Sequence, residues 1–203
     1  MLVVFRGIQQ DNVLVFDAEY NESQLIQFSG ILFRRIEEDI YQVSKSLNMY
    51  VRLQEGKINP FIERFTGIND IYLETFGEKI EDAKEKIYDL IDVEGSLVLA
   101  SHGLTNDRRT MLNNDIDLYL NKQNEAIDGL CTYNAAKRLL GRDKKLTLED
   151  VAADAGIFLS NGHNAFDDAW ATISVFSLLC KLEEEKRNEK FLPPKETGNS
   201  KGK

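Results

Sequence analysis

Two acidic side chains end an apolar run near the start of the chain. The segment VLVFDAEY carries Asp17 and Glu19 two residues apart, and in a strand this spacing directs both side chains to one face of the sheet. Carboxylates held together repel each other, and the pKa of one rises unless a cation neutralises them. The pair therefore indicates a metal site, with a strand that simply ends in a solvated loop as the alternative interpretation.

Two further segments combine a histidine with an aspartate five residues later. His102 and Asp107 lie in SHGLTND, His163 and Asp168 lie in GHNAFDD, and the chain contains only these two histidines. Asp168 leads into the apolar run AWATISVF, where an unpaired charge would be costly to bury. A divalent cation shared with the first acidic pair would remove that cost. We therefore expect the three segments to meet at one site.

Asp167 directly precedes Asp168 and competes with it as a candidate ligand. Neighbouring residues on a helix point about 100° apart, so only one of the two carboxylates can face a metal fully. The residues alone do not choose between them.

The predicted elements that position these residues are strands followed by alternating strands and helices. NVLVFDAEY, QLIQFSGILFR and YQVSKSLNMYV predict three antiparallel strands, and GSLVLASH and AIDGLCTY predict two later ones. Helices are predicted in INPFIERFTG, GEKIEDAKEKIYDLIDV, NDRRTMLNND, NAAKRLLG and TLEDVAADAG, and from about residue 164 to 186. This order is typical of an α/β domain with a mixed sheet and helices packed on it.

Local signals mark the ends and the buried face of some of these helices. Asn59 with Pro60 predicts a helix start and Gly67 its end, while Thr147 followed by Asp150 has the pattern of a capping box. In GEKIEDAKEKIYDLIDV the apolar residues repeat at helical spacing, so they are expected to face the core: Ile80, Ala83, Ile87, Leu90 and Ile91.

Length and composition favour one globular domain. A chain of 203 residues with 42% apolar residues can bury a single core, and we predict a domain over residues 1–185 with a disordered, mildly basic tail over 186–203. Neither a membrane span nor a signal peptide is evident, so a cytoplasmic location and no membrane partner are expected. Cys131 and Cys180 lack metal-ligand spacing and are interpreted as free thiols.

The net charge of the chain limits how it could bind nucleic acid. At −9 it disfavours a protein that wraps extended nucleic acid, because phosphate neutralisation by Lys and Arg supplies most non-specific affinity. It still allows an enzyme that binds a few nucleotides through cations.

Taken in order, these motifs resemble the DEDDh group of 3′→5′ exonucleases. The group's D-x-E motif is similar to VFDAEY, and its H-x-A-x-x-D-A motif matches HNAFDDA at every fixed residue. Its second motif, typically H-N-x-x-F-D, is similar to HGLTND, with Gly103 in place of Asn and Asn106 in place of Phe. FTGIND and LTLEDVAADAGI also resemble segments of the group, so the resemblance spans about residues 12 to 180.

The resemblance implies a fold and a set of roles. The fold would be ribonuclease-H-like, with three antiparallel strands continued by parallel ones and helices on both faces. Two Mg²⁺ or Mn²⁺ ions would be held by Asp17, Glu19, Asp107 and Asp168, which favours Asp168 over its neighbour. His163 would be the base that takes a proton from the attacking water. A further set is expected to line the site of the terminal nucleotide: Ala18, Thr66, Gly67 and His102. For Gly67, a plain helix stop stays open as the alternative.

The resemblance also implies the reaction. The enzyme would hydrolyse phosphodiester bonds at the 3′ end of single-stranded DNA or RNA and release nucleoside 5′-monophosphates. A catalytically idle module that binds nucleic acid or a polymerase is the alternative. The tail is a candidate contact for a replication, repair or RNA-processing partner, while the preference between DNA and RNA and the oligomeric state do not follow from the sequence.

Overall fold

The computed structural model describes residues 1–141, 146–159 and 163–190, and within them the strands form one mixed sheet. The strands are β1 (Leu2–Val4), β2 (Asn12–Asn21), β3 (Gln24–Glu37), β4 (Ile40–Tyr50), β5 (Leu97–Ser101) and β6 (Asp128–Cys131). They lie in the order β1-β4-β3-β2-β5-β6. The pairs β1–β4, β4–β3 and β3–β2 are antiparallel, and β2–β5 and β5–β6 are parallel. The predicted antiparallel meander continued by parallel strands is therefore confirmed.

The helices follow the predicted order, with one addition. They are α1 (Pro60–Thr66), α2 (Asp70–Phe76), α3 (Ile80–Ile91), α4 (Leu104–Asn113), α5 (Thr132–Leu140), α6 (Leu148–Asp154) and α7 (Ala165–Lys190). Only α2 was not predicted as an element of its own.

The predicted helix caps are present. Asn59 accepts a hydrogen bond from Phe61 N at 2.9 Å at the start of α1, and Gly67 ends this helix in the left-handed conformation with φ of 74°. At the start of α6, Thr147 and Asp150 each accept a hydrogen bond from the other's backbone N–H, at 3.2 and 2.9 Å. Both helices therefore begin where their sequence signals placed them.

Helices cover both faces of the sheet, as the resemblance implied. On one face, α3 and α4 pack on a core that contains Leu14, Phe16 and Leu99, and the buried residues of α3 are the five predicted from its spacing. On the other face, α7 contributes Ile173 and Phe176 to a second core. The central strand β2 is therefore apolar on both sides up to its carboxyl end, which is the usual reason for an unbroken apolar run in a strand.

The last helix is longer than predicted. It continues through Lys190, so residues 186–190, which the sequence analysis assigned to a disordered tail, are helical. Lys186 Nζ donates to Leu139 O at 2.8 Å, which ties this part of α7 to α5. The rest of the predicted tail, residues 191–203, lies outside the described residues. Cys131 and Cys180 are both free thiols, and within the described part of the chain no helix is both long and apolar enough to cross a membrane.

Candidate active site

The acids of the first two motifs are brought together by the parallel pairing of β2 and β5. The two strands pair from Asn12–Leu97 to Val15–Ala100, so Asp17 lies two residues beyond the last pair, at the same edge of the sheet as the end of β5. The chain then turns into α4, whose first turn carries Asp107. Burial raises the pKa of Asp17, and the negative charge of Asp107 is the second cause. The two carboxylates therefore lie close enough to repel each other.

Alternation along β2 separates the acids from the residue between them. Asp17 and Glu19 are partly exposed, whereas the side chain of Ala18 is 8% exposed and belongs to the core that α3 covers. The expectation that Ala18 lines the nucleotide site therefore needs correction for its side chain, which points to the opposite face of the strand.

The third motif is organised by the first turn of α7. Asn164 caps the helix, since its Oδ1 accepts from Phe166 N at 3.0 Å and its carbonyl accepts from Asp168 N at 2.9 Å. The backbone N–H of His163 donates to Asp168 Oδ2 at 3.0 Å. Asp168 is buried and Asp167 is exposed, so the helix directs the first of these carboxylates toward the acid cluster and the second toward solvent.

His163 lies at the rim of the cluster. Its backbone has φ of 74°, and its ring packs on Phe65 with the ring centroids 3.7 Å apart. Ligand atoms of Glu19, His163 and Asp168 all lie within 4.8 Å of one another. Residues about 145 positions apart in the chain thus meet at one point.

The carboxylates suppress one another's ionisation. The pKa of Asp17 is raised well above its ordinary value by burial and then by the charges of Asp107, Glu19 and Asp168. Burial, and then Asp168 and Asp107, raise the pKa of Glu19 to about 7. Unless a cation neutralises them, the ionised carboxylates repel one another at this edge of the sheet.

One carboxylate oxygen of Asp168 has no hydrogen-bond partner among the described residues. Burial raises the pKa of its carboxyl, and the hydrogen bond from His163 N opposes this shift. The second oxygen, Oδ1, is buried and has no hydrogen-bond partner within the described residues. An unsatisfied buried carboxylate oxygen beside other acids is the donor that a hard divalent cation would use. The residues therefore fit a metal site built from oxygen ligands.

Asp107 is held by a serine that the sequence analysis did not single out. Ser101 is fully buried, and its Oγ donates to Asp107 Oδ2 at 2.5 Å. Burial raises the pKa of Asp107, while hydrogen bonds from Ser101 and from the Gly103 backbone lower it. The signal available in the sequence was a small hydroxyl residue at the carboxyl end of a buried strand, which is too common to indicate a role by itself.

Gln27 is a second residue that the sequence analysis missed. It is fully buried in β3, opposite Glu19 in the strand register. Its Oε1 accepts from Ala165 N at 3.2 Å, and its Nε2 donates to Asn164 Oδ1 at 3.4 Å and to Asn48 Oδ1 at 3.3 Å. Gln27 therefore anchors the start of α7 to the sheet. A polar residue within the apolar run LIQFSG was the only available signal.

Thr66 and Gly67, which were expected to line the nucleotide site, have different surroundings. The Thr66 hydroxyl donates to Ile62 O at 2.9 Å and accepts from Ile68 N at 3.1 Å, so both of these bonds close the end of α1. Gly67 faces open space, because an added Cβ would meet nothing within 4 Å. Thr66 and Gly67 are the next two residues after Phe65, whose ring packs on His163. The structure allows substrate to approach Gly67, and the helix-stop interpretation is satisfied at the same time.

His102 lines the cleft that contains the acids. One ring nitrogen, Nδ1, is 3.0 Å from Thr132 Oγ1, and burial lowers the pKa of the ring. The cleft has a volume of about 680 Å³, and its lining includes Asp17, Asp107 and Asp168 together with His102 and Tyr133. His102 is thus positioned as a wall residue of the site rather than as a member of the acid cluster.

Solved structures similar to this chain include 3′-exonucleases. A 3′-exonuclease that recognises the 3′ end of a histone mRNA stem-loop shares 13% identity over 85% of this chain and 82% of its own, with a TM-score of 0.65. The nuclease domain of 3′hExo, a DEDDh family member bound to rAMP, shares 13% identity over 85% of this chain and 93% of its own, with a TM-score of 0.62. Exonuclease I of E. coli with a dA16 oligonucleotide shares 20% identity over 90% of this chain but only 43% of its own, with a TM-score of 0.69. At these identities the likeness establishes the fold.

The family is established by the sequence comparison. No curated protein sequence matches the chain, but the RNase T family model, described as an exonuclease, matches residues 13–176. This range contains the D-x-E pair, Asp107 and the complete His163–Asp168 motif. The chain therefore belongs to the RNase T exonuclease family, and it shares its fold with the nuclease domain of 3′hExo, a DEDDh family member.

Proposed function

We propose that the protein is a two-metal-ion 3′→5′ exonuclease that acts on single-stranded DNA or RNA and releases nucleoside 5′-monophosphates. The proposal is carried by the buried Oδ1 of Asp168, which has no hydrogen-bond partner in the described part of the chain and lies beside carboxylates that raise one another's pKa. A protein without a cation-dependent reaction has no use for so costly a cluster.

The donor set specifies what the site would hold. Asp17, Glu19 and Asp168 would hold one Mg²⁺ or Mn²⁺ ion, and Asp17 with Asp107 would hold the second. When bound, such ions neutralise charge on the scissile phosphate and activate the attacking water. Carboxylate oxygens suit these hard cations better than they suit zinc.

The protein's own groups then supply orientation and proton transfer. His163 is exposed at the rim of the cluster, so its ring can accept the proton of the attacking water. Its backbone is tied to Asp168, and its ring rests on Phe65. On the other side of the cluster, Ser101 fixes the direction of Asp107. The base and the acids are thus held by separate elements around one position.

The test is a time course with 3′- and 5′-labelled single-stranded DNA and RNA of one sequence, with Mg²⁺, Mn²⁺ or EDTA. We expect metal-dependent shortening from the 3′ end, and the relative rates on the two polymers identify the substrate. Asp17→Ala should abolish the reaction. His163→Ala should lower the rate by roughly 10²- to 10⁴-fold, as expected for loss of a general base.

A matched pair of variants tests the acid assignment. Asp168→Asn should remove activity, while Asp167→Asn, one residue away on the same helix and exposed, should retain it. A folded protein that binds metal but shortens neither polymer would contradict the proposal and would favour a module that only binds nucleic acid or a polymerase. Normal turnover by His163→Ala would contradict its role as the base.

A further inference from the structure

Helix α1 exposes two phenylalanine rings on its outer face. Phe61 is 62% exposed and Phe65 is 47% exposed. They are four residues apart, which places them on the same side of a helix, and their rings stack with centroids 5.3 Å apart and planes 20° apart. The inner side of α1 packs through Ile62 against the small core that contains Ile58 and Ile68. The two phenylalanines are therefore not needed to attach α1 to the domain.

This pair continues directly from the acid cluster. Phe65 also contacts the His163 ring, with the ring centroids 3.7 Å apart, and a ring nitrogen of His163 lies within 4.8 Å of ligand atoms of Glu19 and Asp168. The rings of His163, Phe65 and Phe61 thus form a row that begins at the reaction site and extends away from it. We call this row the aromatic ladder.

The charge of the protein explains why such a row would be useful. With a net charge of −9 and a cluster of acids in the cleft, phosphate contacts alone are a poor source of affinity for a polyanion. Stacking on aromatic rings needs no positive charge and is tolerant of base sequence, since every base has a π face. Exposed aromatic rings that lie together at the rim of a cleft commonly mark a binding surface.

We propose that the outer face of Phe61 is a stacking platform for the base next to the 3′-terminal nucleotide of a single-stranded substrate. This inference rests on the proposed exonuclease function. Phe65 lies against His163 and therefore borders the terminal nucleotide, while Phe61 lies one helical turn farther from the acids and reaches the following base. A base in a duplex is already stacked and paired, so the platform favours single-stranded 3′ ends.

The experiment compares two substrates that differ in whether a second base is present. One is a short single-stranded oligothymidylate, and the other is the p-nitrophenyl ester of thymidine 5′-monophosphate, which has only one base. Phe61→Ala should lower kcat/KM on the oligonucleotide roughly 5- to 100-fold, chiefly through KM, which is the range for loss of one stacked base. The rate on the ester should change less than twofold. Phe61→Leu should show most of the same decrease in kcat/KM on the oligonucleotide, since leucine keeps apolar surface but has no ring.

Phe76 offers a matched control. It is also 62% exposed and lies on α2, where it contacts Tyr72 rather than the aromatic ladder. Phe76→Ala should leave kcat/KM on both substrates unchanged. An equal loss for Phe61→Ala and Phe76→Ala would point to a general effect of exposed apolar surface and would overturn the proposal.

Two further outcomes would also overturn it. An equal loss on oligonucleotide and ester would mean that Phe61 supports His163 instead of a base, and no loss on the oligonucleotide would mean that it contacts no base. If the wild-type protein turned over neither substrate, the exonuclease function itself would have failed. In that case the fluorescence anisotropy of labelled oligothymidylate with Ca²⁺ still tests the platform, because an unchanged affinity of Phe61→Ala would refute it independently.

Discussion

Replacing Glu19 with glutamine should stabilise the metal-free protein while removing its activity. Burial and the charges of Asp168 and Asp107 raise the pKa of Glu19 from 4.5 to about 7 in the folded protein. Between pH 4.5 and about pH 7, the carboxyl of Glu19 is ionised in the unfolded chain but stays protonated in the folded protein. The stability that the protonated carboxyl contributes is therefore complete below about pH 4.5 and is lost as the pH rises through about 7.

The size of the effect follows from the same difference. Each unit between the folded and unfolded pKa corresponds to about 1.4 kcal/mol. Because the neighbouring acids also titrate, we expect the ionised Glu19 to cost the metal-free fold about 2 to 3 kcal/mol at pH 8. Glutamine has nearly the shape of the protonated side chain and cannot ionise, so it avoids this cost.

The assay is urea unfolding in EDTA at pH 4.5 and pH 8. The free energy of unfolding of Glu19→Gln should exceed that of the wild type by about 2 to 3 kcal/mol at pH 8. At pH 4.5 the two free energies should be equal. Glu55→Gln, the same chemical change at an exposed position, should have no effect at either pH. With excess Mg²⁺ the difference in free energy of unfolding between Glu19→Gln and the wild type should become smaller, since the cation neutralises the wild-type acids. A Glu19→Gln protein no more stable than the wild type at pH 8 in EDTA would refute the account of a repulsive, desolvated cluster.

Other replacements test the residues that support the site. Ser101→Ala should raise the Mn²⁺ concentration needed for half-maximal rate, because the hydroxyl that fixes Asp107 is lost; a fall in stability with an unchanged metal requirement would argue for a structural role alone. Gln27→Leu should lower the free energy of unfolding by about 1 to 3 kcal/mol, because Ala165 N–H loses its partner in a buried position; urea unfolding measures this, and wild-type stability would contradict it. Gly67→Ala should lower the free energy of unfolding by roughly 1 to 2 kcal/mol because of the left-handed backbone at this position, and Gly67→Asn should lower it less. Equal midpoints of urea unfolding for the two variants would contradict the strain argument.

The larger elements could be predicted because their apolar residues repeat over a sufficient length. The spacing of α3 identified all of its buried residues, and the long strands of the meander each carry several apolar positions. Caps added sharp boundaries where a side chain bonds to the backbone next to it, as at Asn59 and Thr147. Local chemistry was therefore sufficient for these parts of the fold.

The missed elements lack that repetition. In α2 only Leu73 is buried, so there is no periodic face to recognise. β1 has three residues, of which Leu2 and Val4 are exposed, and its place at the edge depends on pairing with β4. The end of α7 was misjudged for a similar reason, because the side chain of Lys186 bonds to a carbonyl of α5, which is distant in the chain.

The same division applies to the site. His163 and Asp168 could be identified because one short motif contains both. Gln27 could not, since its bonds reach Asn164 and Ala165 across 137 and 138 positions of the chain. Phe65 is likewise joined to His163 only by the fold. Ligand-type residues leave a local pattern, whereas the residues that hold them in place do so through contacts between distant segments.

The departures in the second motif change the shape of the cleft more than its chemistry. At Gly103 an added Cβ would lie 3.8 Å from both carboxylate oxygens of Asp107, so the asparagine usual in the resembling group would extend beside this acid and narrow the cleft. Asn106, in place of the usual phenylalanine, is exposed, and its Oδ1 accepts from Arg109 at 3.4 Å. The hydrogen bonds that fix the acids come from the Ser101 hydroxyl and from the Gly103 and His163 backbones, so none of them depends on the side chain at position 103 or 106. We therefore expect Gly103 and Asn106 to affect substrate preference through the shape of the cleft beside Asp107, without changing how the acids are held.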